Sequence, residues 1–214
     1  MLAPLPAVLV TCAHGEQTNL LTIAWTGIVC TNPPMTYVSV RPERHSYDLI
    51  RQSGAFTINL VGRELVQAAD YCGVRSGRNE DKFAACQLET EPGVQIPVPQ
   101  LAASPLCLEC RVTEVKELGT HHMFLAEIVG VYGEADLFDD KDRFALEQAG
   151  LVSYSHGHYY SLEKRPIGRF GYSVMKEKTR KREAQKARPE RAQKARPERA
   201  QRSRKGQAAR SKKK

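Results

Sequence analysis

Asn32-Pro33-Pro34 divides one stretch of this chain into two extended runs, and no other stretch constrains the fold as much. Proline fixes φ and cannot donate to a strand ladder, so the tripeptide forces a turn. Before it come Thr22, Ile23, Ala24, Trp25 and Thr26, then Gly27 and the β-branched pair Ile28-Val29. After it, residues 35–40 alternate as a strand does, and Arg41-Pro42 ends the run. The expectation is two strands joined at the Pro-Pro turn. At the far end of the second strand sit Arg41, Arg44, His45 and Ser46, the cations and hydroxyl that a phosphate needs. Trp25, the sole Trp, lies on the neighbouring strand. An aromatic wall beside an anion site suits a flat, phosphorylated ligand. A core hairpin ending in a solvated basic turn is the alternative.

Local signals elsewhere are mostly those of strands. Residues 4–12 read as a strand, and 46–53 as a short helix capped by Ser46 and stopped by Gly54. Residues 55–61 form a further strand carrying Asn59 amid apolar neighbours, where an amide needs partners. Residues 64–72 have helical spacing. The polar loop 72–83 has two glycines, the Ser76 hydroxyl and the cations Arg75, Arg78 and Lys82. Its glycines let backbone N–H groups turn toward an anion, and Arg78 or Lys82 supplies charge. It lacks the spacing and ending of a Walker loop. Residues 94–105 are a Pro-rich connector, 106–115 and 121–132 are a strand and its return, and 141–148 are a short helix. Cys107 and Cys110, three apart on a strand, face opposite sides, which disfavours redox or zinc use. His156 and His158 belong to a Gly-bearing turn, and no metal site is expected.

Charge separates a body from a tail. From Lys176 onward there are 18 Lys and Arg against 4 Glu, so residues 1–175 carry a net −6 within the global +8. The octad AQKARPER at 184–191 recurs at 192–199, with a proline in each and almost nothing apolar to bury. Residues 176–214 are therefore expected to be disordered alone, and a candidate for RNA, DNA or acidic-surface contact through phosphates. No run approaches the roughly 18 apolar residues of a membrane span. The first residues lack the basic region of a secretory signal. Six cysteines in a chain of 214 residues do not form a disulfide framework, so a soluble, reducing, cytoplasmic setting is expected.

Over residues 4–172 the chain resembles the flavin reductase-like family, whose FMN-binding split barrel is shared by flavoredoxins. The resemblance stands on residues 19–25, Pro33-Pro34, 38–42, 54–60, 72–77 with Asp81-Lys82-Phe83, and Gly119-Thr120-His121. It implies a mainly β fold, a Greek-key-like split barrel with a few short helices over residues 1–175, with the tail outside it. By the same resemblance, Thr22, Ala24 and Trp25 border the flavin ring, and Ser39, Val40 and Arg41 approach the ring and ribityl chain. Ser46, Ser76, Gly77 and Lys82 hold the phosphate, and Asn59 hydrogen-bonds nearby. His121 reaches the nicotinamide from a turn in which Thr120 replaces the family's Asp. The implied activity is an FMN-dependent oxidoreductase, either a flavin reductase using NAD(P)H or a flavoredoxin-like electron carrier, acting as a homodimer with an open choice of electron acceptor. The rivals are a non-catalytic flavin-binding barrel and a nucleic-acid-associated protein acting through its tail.

Overall fold

The computed structural model describes residues 2–140, 143–163 and 165–177, together with 179 and 182. The chain divides into two compact units, Met1–Lys164 and Arg165–Lys214. The described part of the second holds a short 3₁₀ turn, Tyr172–Val174. The expected disorder of the basic tail falls almost wholly outside the described residues.

In the first unit the strands are β1 (Leu5–Pro6), β2 (Val8–His14), β3 (Gln17–Ile23), β4 (Thr26–Thr31), β5 (Pro34–Val40) and β6 (Ala55–Leu60). They continue as β7 (Thr90–Glu91), β8 (Gln100–Leu101), β9 (Leu106–Glu117), β10 (His122–Gly133), β11 (Val152–Ser155) and β12 (His158–Ser161). The helices are α1 (His45–Ser53), α2 (Val66–Val74) and the single turn α3 (Lys82–Ala85). The mainly β expectation holds.

Seven strands make one antiparallel sheet in the order β3-β2-β6-β9-β10-β5-β4. Its two edges, β3 and β4, are consecutive in the chain and separated only by Ala24 and Trp25. A flat sheet would set these edges about 29 Å apart, at roughly 4.8 Å per strand. The three Cα steps from Ile23 to Thr26 reach at most about 11 Å. The sheet must therefore curl until its edges meet at this short link, and the Ser39 amide, donating to the Trp25 carbonyl at 3.0 Å, carries the β4–β5 ladder up to the break. This is the split barrel. It corrects one expectation: the run before the Pro-Pro turn is not one strand but two. β3 pairs with β2, β4 pairs with β5, and the break at Ala24-Trp25 is where the chain changes partners.

The barrel encloses Val10, Val38, Ile50, Phe56, Ile58, Cys110 and Phe124. A second apolar cluster, including Leu9, Leu20, Ala69, Cys72 and Leu101, lies under α2. Cys107 and Cys110 do face opposite sides: Cys110 is in the barrel core, while the Cys107 thiol lies against Asn59 Oδ1. Among the described residues no cluster of three His, Cys, Asp or Glu is placed to hold a metal ion. None of the helices there is long and apolar enough to cross a membrane.

Two helix expectations need correction. Ser46 does not cap α1; the N-cap is Arg44, and Ser46 is drawn into a buried tertiary hydrogen bond instead. Gly54 stops the helix as expected, in the left-handed region at φ 65°. The helix expected over 141–148 is only a 3₁₀ turn, Leu146–Gln148, and residues 141 and 142 lie outside the described part. The Gly-bearing turn at His156-Gly157 joins β11 to β12. Sequence reading passed over the fully buried Glu109, whose carboxylate accepts from the Val94 and Gln95 amides at 2.6 Å each and from Gln100 at 2.9 Å. It pins the Pro-rich connector to β9.

Candidate cofactor site

Two clefts meet at the barrel seam. The first, about 170 Å³, is built where β3 and β5 end. Thr22, Ala24 and Trp25 come from the first end, Ser39, Val40 and Arg41 from the second, and His121 from the turn before β10. The Trp25 and His121 rings sit 4.5 Å apart, tilted by 41°. Ser39 and Val40 point to opposite faces of β5, and the Val40 side chain is buried in the barrel core. Val40 therefore offers backbone to the cleft. Thr22 also gives less than its hydroxyl promises, because its Oγ1 donates to the Ala69 carbonyl and ties β3 to α2.

The second cleft, about 200 Å³, continues from the first through the shared walls Leu21, Arg41 and Arg44. One side is the start of α1, with Arg44, His45 and Ser46. The other is the loop after α2, with Arg75, Ser76, Gly77 and Lys82. Four cations thus line it, Arg41, Arg44, Arg75 and Lys82, against the single carboxylate of Glu43. The start of a nine-residue helix adds its own unpaired amides and partial positive charge.

Lys82 is the unusual member. It is only 3% exposed, and among the described residues its ammonium donates to the Cys72 and Arg75 carbonyls alone, at 3.4 and 3.5 Å. No carboxylate among the described residues pairs with it. Burial pushes its pKa below the usual lysine value, with Arg44 acting the same way and the nearby thiols of Cys72, Cys12 and Cys86 opposing. Cys12 and Cys72 are no counter-ions at neutral pH: burial pushes Cys12 up to about 11 and Cys72 up to about 12. A desolvated cation with two long hydrogen bonds is stabilised by an arriving anion.

Eleven of the twelve residues singled out from the sequence line one cleft or the other. Asn59 does not. Its Nδ2 donates to the Leu9 carbonyl at 2.9 Å and to Thr11 Oγ1 at 3.2 Å, and its Oδ1 accepts from the Leu101 amide at 2.8 Å. The amide is consumed by neighbouring backbone inside the fold. Of the two candidate loop cations, Arg78 instead donates to the Glu43 carbonyl at 2.8 Å, closing the loop over the β5–α1 turn. Sequence reading missed Asn19, which is buried and donates from Nδ2 to Ser46 Oγ at 2.8 Å. Arg75, named from the sequence only as one of the loop cations, is a wall of this cleft where Arg78 is not. No local pattern marks Asn19, which opens an ordinary strand run.

Gly77 lies against Asn19 so closely that an added Cβ would overlap the amide. Gly77→Ala is therefore expected to weaken binding of a phosphorylated flavin by at least about tenfold, by pushing the loop and Asn19 apart. Titration followed by flavin fluorescence checks this; unchanged affinity removes the close approach from the site.

A family model described as "Flavin reductase like domain" matches residues 2–163. The solved flavoredoxin of Desulfovibrio vulgaris (Miyazaki F) superposes with a TM-score of 0.75 at 30% identity, covering 81% of this chain and 94% of that one. The reductase component of a 4-nitrophenol 4-monooxygenase/4-nitrocatechol 2-monooxygenase of Rhodococcus opacus is 31% identical over 121 residues, 56% of this chain and 62% of its own. An uncharacterised protein of Aeropyrum pernix is 32% identical over 133 residues, 62% of this chain. This chain spans about half, 51%, of that relative's length.

Proposed function

Because the chain belongs to the flavin reductase-like domain family, we propose that it binds FMN and uses it to accept hydride from NAD(P)H. The flavin-related oxidoreductase class follows from the family. FMN, the nicotinamide donor and the residue roles are this reading's own. The observation that carries it is the continuity of an aromatic-walled cleft with a cleft holding a buried cation that no carboxylate among the described residues pairs.

The chain's contribution is binding and orientation. Lys82, the Ser46 and Ser76 hydroxyls and the start of α1 hold the phosphate, with Arg41 and Arg44 between phosphate and ring. Ser76 Oγ already accepts from the Arg78 amide at 3.3 Å, which leaves its O–H to donate outward. Trp25 and Ser39 flank the ring. When bound, the flavin supplies the two-electron acceptor that the protein lacks. His121, held below the usual imidazole value chiefly by burial and then by Arg41, is neutral at pH 7 and suited to hydrogen-bond an uncharged carboxamide. Proximity and orientation carry the acceleration, with no protein nucleophile required.

The test is anaerobic mixing of FMN-loaded protein with NADH and, separately, NADPH. Rapid bleaching with either supports the reading. Stable yellow protein that neither donor bleaches makes the chain a flavin-binding barrel without turnover. Failure to bind FMN or FAD sinks it altogether.

The partner proposed for this barrel is a second copy. β4 is an edge strand beside the ring cleft, with Ile28 63% and Val29 49% exposed. Such an edge offers unpaired backbone groups and apolar side chains together. Ile28→Lys is expected to shift the protein from dimer to monomer in light scattering at micromolar concentration. A wild type that is already monomeric there overturns this.

A further inference from the structure

The phosphate cleft has two walls that no backbone ladder joins directly, the start of α1 and the loop after α2. Arg44 and Arg78 reach across from one side to the other, and Asn19 of β3, which belongs to neither wall, touches both. Its Nδ2 donates to Ser46 Oγ at 2.8 Å, and Gly77 of the loop rests against the same amide. Asn19 is 4% exposed and Ser46 1%, so water does not substitute for this bond.

The direction of the bond has a consequence. A serine hydroxyl has one hydrogen to donate. With Asn19 filling a lone pair of Ser46 Oγ, that hydrogen must find its acceptor elsewhere. The neighbour within the protein is the Cys12 sulfur, a weak acceptor whose own S–H is directed to the Asn19 carbonyl at 3.5 Å. A phosphate oxygen in the cleft is the stronger acceptor.

We propose that Asn19 is the positioning residue of this cleft: it orients the Ser46 hydroxyl hydrogen toward the flavin phosphate and braces the Gly77 loop opposite. The inference rests on the FMN reading and deepens it. Asn19 touches no flavin atom in this role and acts through Ser46 and Gly77.

Phosphate selectivity separates this role from a merely structural one. Dissociation constants for FMN and for riboflavin, which lacks the phosphate, are measured on wild type, Asn19→Ala, Ser46→Ala and the double variant. Each single substitution is expected to weaken FMN by about tenfold and riboflavin by less than about twofold. Because Asn19 acts largely through Ser46, the double variant should lose clearly less than the product of the two single losses. Asn19→Asp places a carboxylate where the amide donor stood and should weaken FMN by about a hundredfold or more. Ser46→Ala probes the same bond without touching β3.

Multiplicative losses in the double variant, unchanged FMN affinity in Asn19→Ala, or riboflavin losses as large as those for FMN each overturn the proposal. If wild type itself binds neither flavin, the FMN reading has failed as well. If wild type binds FMN and the ratio of FMN to riboflavin affinity does not move, only the role of Asn19 has failed.

Discussion

Replacing Lys82 with Met is expected to raise the FMN dissociation constant roughly a hundredfold and to leave riboflavin binding within about twofold. A hydrogen bond to a charged group contributes about 1.5–3 kcal/mol, or about ten- to a hundredfold in affinity. Lys82 belongs at the upper end because it is buried and its protein acceptors are two distant carbonyls. Met keeps the length and apolar stem, so the fold is preserved while the charge is lost. The same substitution carries an opposite effect on the empty protein. The folded-state pKa of Lys82 lies below its ordinary 10.5, so the buried charge destabilises the fold at every pH below that lowered value. Between the lowered pKa and 10.5 the unfolded chain binds the proton and the folded one does not, so stability rises with pH in that window. Lys82→Met should therefore melt higher than wild type without flavin at neutral pH, and the gap should close as pH approaches 10.5. With FMN present at saturation the order should narrow or reverse. Equal FMN affinity in the two proteins would remove Lys82 from the site.

The second large effect belongs to His121. His121→Ala is expected to slow anaerobic reduction by nicotinamide about ten- to a hundredfold while FMN affinity changes by less than about threefold, since the residue positions the donor rather than the flavin. Thr120 Oγ1 lies 3.1 Å from His121 Nδ1. A hydroxyl donating there leaves the ring proton on Nε2, free to donate to a carboxamide. Thr120 can thus do the orienting work that an acid would do in its place. Burial, Arg41 and Arg44 hold the imidazole below its usual 6.5, against the smaller pull of Glu43. Reduction should then be flat through neutral pH and fall only below that lowered value, where a charged ring meets two arginines. In His121→Ala this acid limb should disappear. Stopped-flow bleaching at several pH values reads both effects, and identical profiles in the two proteins would end this assignment.

The mixed record at the phosphate cleft shows where sequence reading reaches its limit. Gly54 stopped a helix and Pro33-Pro34 turned a hairpin because both act on their own backbone within a few residues. The loop holding Ser76, Gly77 and Lys82 was recognisable from composition because an anion site needs hydroxyls, cations and freely turning amides in any fold. Asn59 looked equally polar in an equally apolar setting, yet its amide is satisfied by Leu9, Thr11 and Leu101. An isolated polar residue needs partners, and its sequence neighbours do not say whether these are ligand or protein. Ser46 shows the same ambiguity from the other side: a plausible cap locally, it is claimed by Asn19, 27 residues away.

The sequence by itself determined the strand-rich character, the positions of the turns, the charged rim and the separation of an acidic body from a basic tail, because periodicity, proline, glycine and charge act locally or by composition. Only the tertiary structure decided that one apolar run splits at Ala24-Trp25, that the two sheet edges meet there, that Lys82 is buried with no carboxylate among the described residues to pair it, and that Asn19 joins the two walls. These depend on which distant backbone closes against which. A barrel seam is a boundary condition of the whole sheet, and no window of neighbouring residues contains it.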